Sequence, residues 1–204
     1  MGSILEVISI LLFIFSLWLG YEKIETSKLT QSILFVADLS LIIVGVIQLG
    51  SLGVWIALTA NFLGILIYSA RLAMKKEELL VSASTQGGFE REEVENLYEE
   101  LGESNNIFEY VGPIERAKII YLISQRGRNL EEIKKLAIVI ALIWYVQKLD
   151  LEILVKKFDR LLRLWDKTVD DAMDVADTLT KGNQMSAADF EENLDAMIAF
   201  KDPF

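Results

Sequence analysis

The sequence predicts an all-α protein: three transmembrane helices followed by a cytoplasmic helical bundle. Three observations carry that expectation. Apolar residues crowd into three long blocks before position 75. Beyond them, hydrophobic positions recur with the 3.6-residue period of an amphipathic helix. No stretch alternates with period two for long enough to build a sheet.

The three blocks run over about 4–21, 32–49 and 54–74. Each is close to the ~20 apolar residues, at about 1.5 Å rise apiece, that cross a hydrocarbon core of about 30 Å. The first is read as a retained helix rather than a secretory signal, since no Lys or Arg precedes it and no small-x-small cleavage site follows. Basic residues set the orientation. Lys23 and Lys28 follow the first block, and Arg71, Lys75 and Lys76 close the third. The start of the chain and the turn Gly50–Gly53 carry none. The expectation is an integral membrane protein with its N-terminus outside and its C-terminal domain cytoplasmic. Trp18, Tyr21 and Trp55 fit an interfacial aromatic belt. The domain boundaries that follow are a membrane domain 1–81, a flexible Ser/Gly-containing linker 82–88, and an all-helical domain 89–204.

Inside the membrane domain the costly residues lie on matched stripes. Gln31, Asp38 and Gly45 recur every seven residues on one helix face, and Ala57, Asn61, Gly64 and Tyr68 do so at spacings of four, three and four. An ionised aspartate at mid-membrane costs about 2.5–3.5 kcal/mol on insertion scales, which argues against a lipid-facing Asp38. Asp38, Gln31, Asn61, Gly64 and Tyr68 are therefore candidates for a helix interface or the lining of a pore.

In the helical domain, Val94, Leu97, Tyr98 and Leu101 mark one apolar stripe. Pro113 suits the first turn of a helix, and Asn129 with Glu132 forms a capping-box signature. The run "LAIVIALIWYV", residues 136–146, is too short to span a bilayer and reads as a buried core helix. The amphipathic "LEILVKKFDRLLRLW" should pack on it.

Composition narrows the chemistry. The chain has no Cys and no His, which removes thiolate sites, disulfides, the usual zinc ligands and the commonest general base. Net charge is −10, so duplex nucleic acid is not an expected partner. Charge falls in blocks: acidic over 90–109, basic over 112–165, acidic again over 166–202. The simplest reading is that the blocks neutralise one another, within or between subunits. Arg126, Arg128, Lys134 and Lys135 gather near one predicted helix start, a candidate anion site for a small phosphorylated ligand.

Three local patterns resemble known motifs. "DDAMD" matches the DDxxD pattern by which prenyl-diphosphate enzymes bind magnesium, making Asp170, Asp171 and Asp174 a candidate metal face, though a second acidic motif is lacking. "EELGE" resembles half the acidic signature of all-helical nucleotide pyrophosphatases, whose partner ExxD is missing. "KGNQMSAADFEENL" has the cadence of an EF-hand loop entering its second helix, with Thr178 and Thr180 where acids should stand; a Gly182 turn before a Ser186-capped helix is the simpler expectation.

The expected function is that of a membrane-anchored structural or interaction protein, without enzymatic activity or cofactor. Its cytoplasmic helical module would assemble with itself or dock to a membrane complex, so the lipid membrane and a homo-oligomer are the expected partners. The alternative is a small homo-oligomeric cation channel or ligand-gated pore with Asp38 on the conduction path. A third reading is a magnesium-dependent membrane enzyme acting on a diphosphate.

Overall fold

The structure is a computed structural model that describes residues 51–104, 107–185 and 189–201. The chain divides into two compact units between Ala73 and Met74. The first element, α1 (Ser51–Gly87), is a 37-residue helix. Its early part belongs to the first unit. There, among the described side chains, Leu63, Leu66, Ile67 and Tyr68 are about half exposed.

No helix among the described residues is long and apolar enough to cross a membrane. This overturns the fold class of three transmembrane helices followed by a cytoplasmic bundle. It also overturns the integral-membrane placement with N-terminus outside and the transmembrane and channel readings. The physical reason lies in α1. The block at 54–74 is not a self-contained apolar rod bounded by turns, but the opening of a helix that runs unbroken through Arg71, Lys75, Lys76, Glu77 and Glu78. The blocks at 4–21 and 32–49, with Gln31 and Asp38, lie outside the described residues. The described elements are all helical.

The second unit is built around α1's last turns and seven further helices. Residues 82–87, expected as a flexible linker, are helical, with Ala83 buried. The helix stops at Gly88, whose φ of +71° is one that glycine adopts without strain. The Phe89 N–H then bonds back to the Ser84 carbonyl at 3.1 Å, the six-to-one closure of a Schellman cap. The Gly-Gly pair is thus a helix stop rather than a hinge.

Helix α2 (Arg91–Ser104) buries Val94, Leu97 and Leu101 on the predicted stripe, with Tyr98 half-buried beside them. A single turn, α3 (Ile107–Tyr110), plants Phe108 in the core. Helix α4 (Pro113–Ser124) has its proline at the first turn and buries Ala117, Ile119, Ile120, Leu122 and Ile123, which places it centrally. Helix α5 (Leu130–Gln147) opens with the expected capping box. The Glu132 N–H donates to Asn129 Oδ1 (2.9 Å), and the Asn129 N–H donates to Glu132 Oε2 (3.1 Å). Leu136, Ala137, Val139, Ile140, Ala141 and Ile143 are buried, as expected of a core helix.

Helix α6 (Leu151–Leu164) is capped by Asp150, which accepts from the N–H groups of Glu152 and Ile153. It buries Leu151, Leu154, Val155, Phe158, Leu161 and Leu162 against α4, α5 and the last helix. Burying side chains of this size contributes roughly 1.5–3 kcal/mol each. A 3-10 turn (Val169–Asp171) leads into α7 (Ala172–Met185), and α8 (Phe190–Lys201) closes the unit with Phe190, Leu194 and Ile198 inside. The EF-hand-like reading loses its first positions to helix: α7 runs on to Met185, and the Thr178 and Thr180 hydroxyls bond the Asp174 and Ala176 carbonyls within it. Helix α8 is capped by Asp189, which accepts from the Glu192 N–H at 2.8 Å. Ser186, expected in that role, lies outside the described residues.

Candidate functional site

The predicted basic cluster does not gather into a pocket. Arg128, just before α5, turns inward. Its Nε and Nη2 both donate to Asp159 Oδ1 (2.9 and 2.7 Å), and its Nη1 donates to Glu132 Oε1 (3.2 Å). From α6, Arg163 Nε donates to the other oxygen of Asp159 (2.9 Å), and its Nη2 donates to the Arg126 carbonyl (2.6 Å). Burial opposes the charge on Arg128, but the hydrogen bonds and charge of Asp159, with Glu132 behind, outweigh it and raise the guanidinium above its ordinary pKa.

Lys134 pairs with Glu100 of α2, and Lys135 Nζ reaches Asp170 Oδ1 at 2.5 Å. Arg126 makes no ion pair among the described residues, and its Nε is buried without a partner. The four cations thus diverge, three of them toward Asp159, Glu100 and Asp170. The helix itself separates them: Lys134 and Lys135 leave α5 about 100° apart, and Arg128 precedes its first turn. The acidic and basic blocks do neutralise one another inside the unit, with Lys157 between Glu191 and Asp195 (2.7 Å each) as the clearest case.

The DDxxD residues are dispersed as well. Asp170 and Asp171 sit in the 3-10 turn while Asp174 belongs to α7, so the change of helix type breaks the face they would share. Asp170 is taken by Lys135. Asp171 accepts from the N–H and hydroxyl of Thr168 (2.9 Å each), and these bonds hold its carboxyl below the ordinary aspartate pKa. Among the described residues, no group of three acids could hold a metal ion. Asp171 and Asp174 line a cleft of about 250 Å³ together with Leu161, Trp165, Val175 and Met197. The Trp165 indole N–H is already spent on the Met197 carbonyl (3.2 Å).

Of the intramembrane candidates, Asn61, Gly64 and Tyr68 lie along α1, and Tyr68 is 46% exposed. Their expected partners Asp38 and Gln31 lie outside the described residues.

A surface that sequence reasoning did not single out stands at the end of α5. Leu142, Tyr145 and Val146 share a face of its last turns at i, i+3 and i+4, and all three are exposed. Tyr110, from α3, brings its ring to 5.5 Å from that of Tyr145. The chain then turns at Lys148, in the left-handed region at φ 56°, and its ammonium lies 4.4 Å from the Tyr145 ring centroid and 5.1 Å from that of Trp144. This is an aromatic and aliphatic face under a cation. Large apolar patches on otherwise closed domains mark interaction surfaces, and tyrosine is enriched in the core of such interfaces. The sequence held only a partial signal of this face. "LAIVIALIWYV" is apolar all round, more than a helix burying one side requires. No protein family, curated protein or solved structure matches the chain.

Proposed function

We propose that this chain is a structural or interaction protein, not an enzyme, whose helical domain mediates self-assembly or docking onto a partner protein. One observation carries the reading: the exposed face of Tyr110, Leu142, Tyr145 and Val146 on a unit whose other large apolar residues are mostly buried. The charged groups add support. Three of the four predicted cations, Arg128, Lys134 and Lys135, are each paired with a carboxylate of the same unit. What remains presented to the outside at this place is contact area.

The test is the native mass of the full chain by light scattering over a range of concentrations, for the wild type and for Tyr145→Glu. The wild type should run heavier than one chain or give a cross-link from a photoreactive side chain at position 145, and Tyr145→Glu should abolish either while keeping its helical circular dichroism. A wild type that stays a single chain at every concentration and cross-links to nothing overturns the proposal.

A further inference from the structure

We propose that the cleft between α6, α7 and α8 binds a small organic cation, an ammonium carried on an apolar body, with Asp171 and Asp174 meeting the charge. The site is separate from the face at Tyr110 and Tyr145, and its occupancy goes beyond the interaction reading above.

The floor of the cleft is apolar. Leu161, Leu162 and Trp165 come from the end of α6, Val175 from α7 and Met197 from α8. Leu161 and Leu162 belong to the core. The bond from the Trp165 indole N–H to the Met197 carbonyl ties α8 to the end of α6 (3.2 Å). Helix packing therefore sets the walls, and spaces between the helices of a bundle are common places for ligands. At about 250 Å³ the cleft falls just below the ~300–1,000 Å³ of sites that take drug-sized molecules, so it suits a single ring or a short chain.

The polar lining decides the class of ligand. Asp174 and Thr178 stand at i and i+4 on one side of α7. Asp174 is exposed and makes no ion pair among the described residues. Asp171 uses one oxygen, Oδ2, to accept from the Thr168 N–H and hydroxyl, and these bonds favour its ionised form. An ionised carboxylate has about four acceptor sites on its two oxygens, so accepting these bonds does not exhaust Asp171. Against the two acids the cleft has one base, Lys167. Other bases of this flank are directed elsewhere, Lys135 to Asp170 and Lys201 toward Asp166.

This combination discriminates among ligands. An anion would face two carboxylates against one ammonium. A neutral apolar molecule would gain from the floor alone. A bare metal ion would find too few ligands, since among the described residues no group of three acids could hold one. An organic ammonium uses both parts of the cleft: its body covers the apolar floor, and its charge complements that of Asp171 and Asp174.

Three probes of similar body separate these cases in the full chain: phenethylammonium, phenethyl alcohol and phenylacetate. Binding is read from the methyl resonance of Met197 in protein carrying isotope-labelled methionine, assigned with Met197→Leu. The ammonium should saturate with a dissociation constant at or below about 1 mM, and phenylacetate should leave the resonance in place. The ammonium should bind about threefold or more tighter than the alcohol, a margin that closes in high salt. Asp174→Asn should weaken the ammonium about two- to fivefold, as expected of an exposed charge pair, and leave the alcohol unchanged. Thr178→Phe, at an exposed position on α7, should fill the cleft and abolish binding of both. Circular dichroism and the thermal midpoint establish that each variant is folded, and Val175→Phe replaces Thr178→Phe should that variant not fold. A resonance that no probe moves, an ammonium no tighter than the alcohol, or ammonium binding that survives the filled cleft overturns the proposal. Unchanged ammonium affinity in the double variant Asp171→Asn with Asp174→Asn overturns it as well.

Discussion

Arg128 and Lys135 are cations close together at the start of α5, and each is bound to an aspartate from far along the chain, 31 and 35 residues away. They inhabit different physical regimes. The side chains of Arg128 and Asp159 are 12% and 6% exposed, while those of Lys135 and Asp170 are 53% and 74% exposed. In the first region Asp159 accepts from two guanidiniums, Arg128 and Arg163, which in turn donate to Glu132 and to the Arg126 carbonyl, so the members of the network depend on one another. In the second, water can replace either partner at once. The difference teaches that the charge pattern of this chain has two uses. At the junction of α5 and α6 it fixes which residues meet, and along the outer flank it keeps opposite blocks balanced.

Removing one member of the inner group should have the largest effect. Asp159→Ala strands the Arg128 guanidinium in a site with little water, and should lower unfolding stability by about 3–5 kcal/mol, the usual cost of breaking a buried pair. Urea unfolding followed by circular dichroism measures it. The double variant Asp159→Leu with Arg128→Met, which removes both charges, should recover much of that loss. A double variant no more stable than Asp159→Ala would mean that packing around Asp159, not its charge, is what matters.

The cap between the two regions comes next. Asn129→Ala removes the side-chain acceptor for the Glu132 N–H and should cost about 1 kcal/mol. A full loss like that of Asp159→Ala would show that the cap also positions Arg128. On the outer flank, Lys135→Ala should leave the urea midpoint within experimental error, because exposed pairs contribute little and are screened by salt. A shift comparable to that of Asn129→Ala would erase the contrast between the regions.

The smallest effect concerns acid. Asp171 has its pKa lowered in the folded state by the Thr168 bonds. Its contribution is therefore present above the ordinary aspartate pKa and disappears as pH falls through the folded value. Asp171→Asn should give a slightly shallower loss of stability on acidification below pH 4, read from thermal midpoints at successive pH values.

Local features of this fold were legible in the sequence, and distant pairings were not. The Asn129 and Glu132 signature, the stripe Val94–Leu97–Leu101 and the burial of most of the run 136–146 depend on residues within a few positions of one another. The partner of Arg128 does not. Asp159 stands in "KKFDRLLR" as one more charge on an amphipathic helix, and only the packing of α6 against α4 and α5 makes it a buried anion. The same limit explains the dispersed basic cluster, since adjacency in sequence gave no direction to the side chains. The membrane expectation weighed the block at 54–74 by its own hydropathy, whereas α1 carries that block straight on into charged turns. Gly87-Gly88 was read as slack because glycine permits bending, yet there one glycine closes a Schellman cap. The open face at Tyr110 and Tyr145 was hidden for the opposite reason. An apolar run suggests a core, and nothing in it says which turns remain uncovered.

Lys148 ends α5 with its backbone in the left-handed region, where a residue with a Cβ is disfavoured by about 1–2 kcal/mol relative to its ordinary conformations. Glycine would make that turn without strain, as Gly88 and Gly127 do, whereas Lys148 and, after α6, Asp166 adopt it with a side chain. The departure concerns what the side chain does once the turn is made. A strained backbone holds the ammonium against two aromatic rings, with its position set by the helix end rather than by a flexible loop. The cost of folding one residue awkwardly is accompanied by a cation set directly beside the aromatic rings of the exposed face.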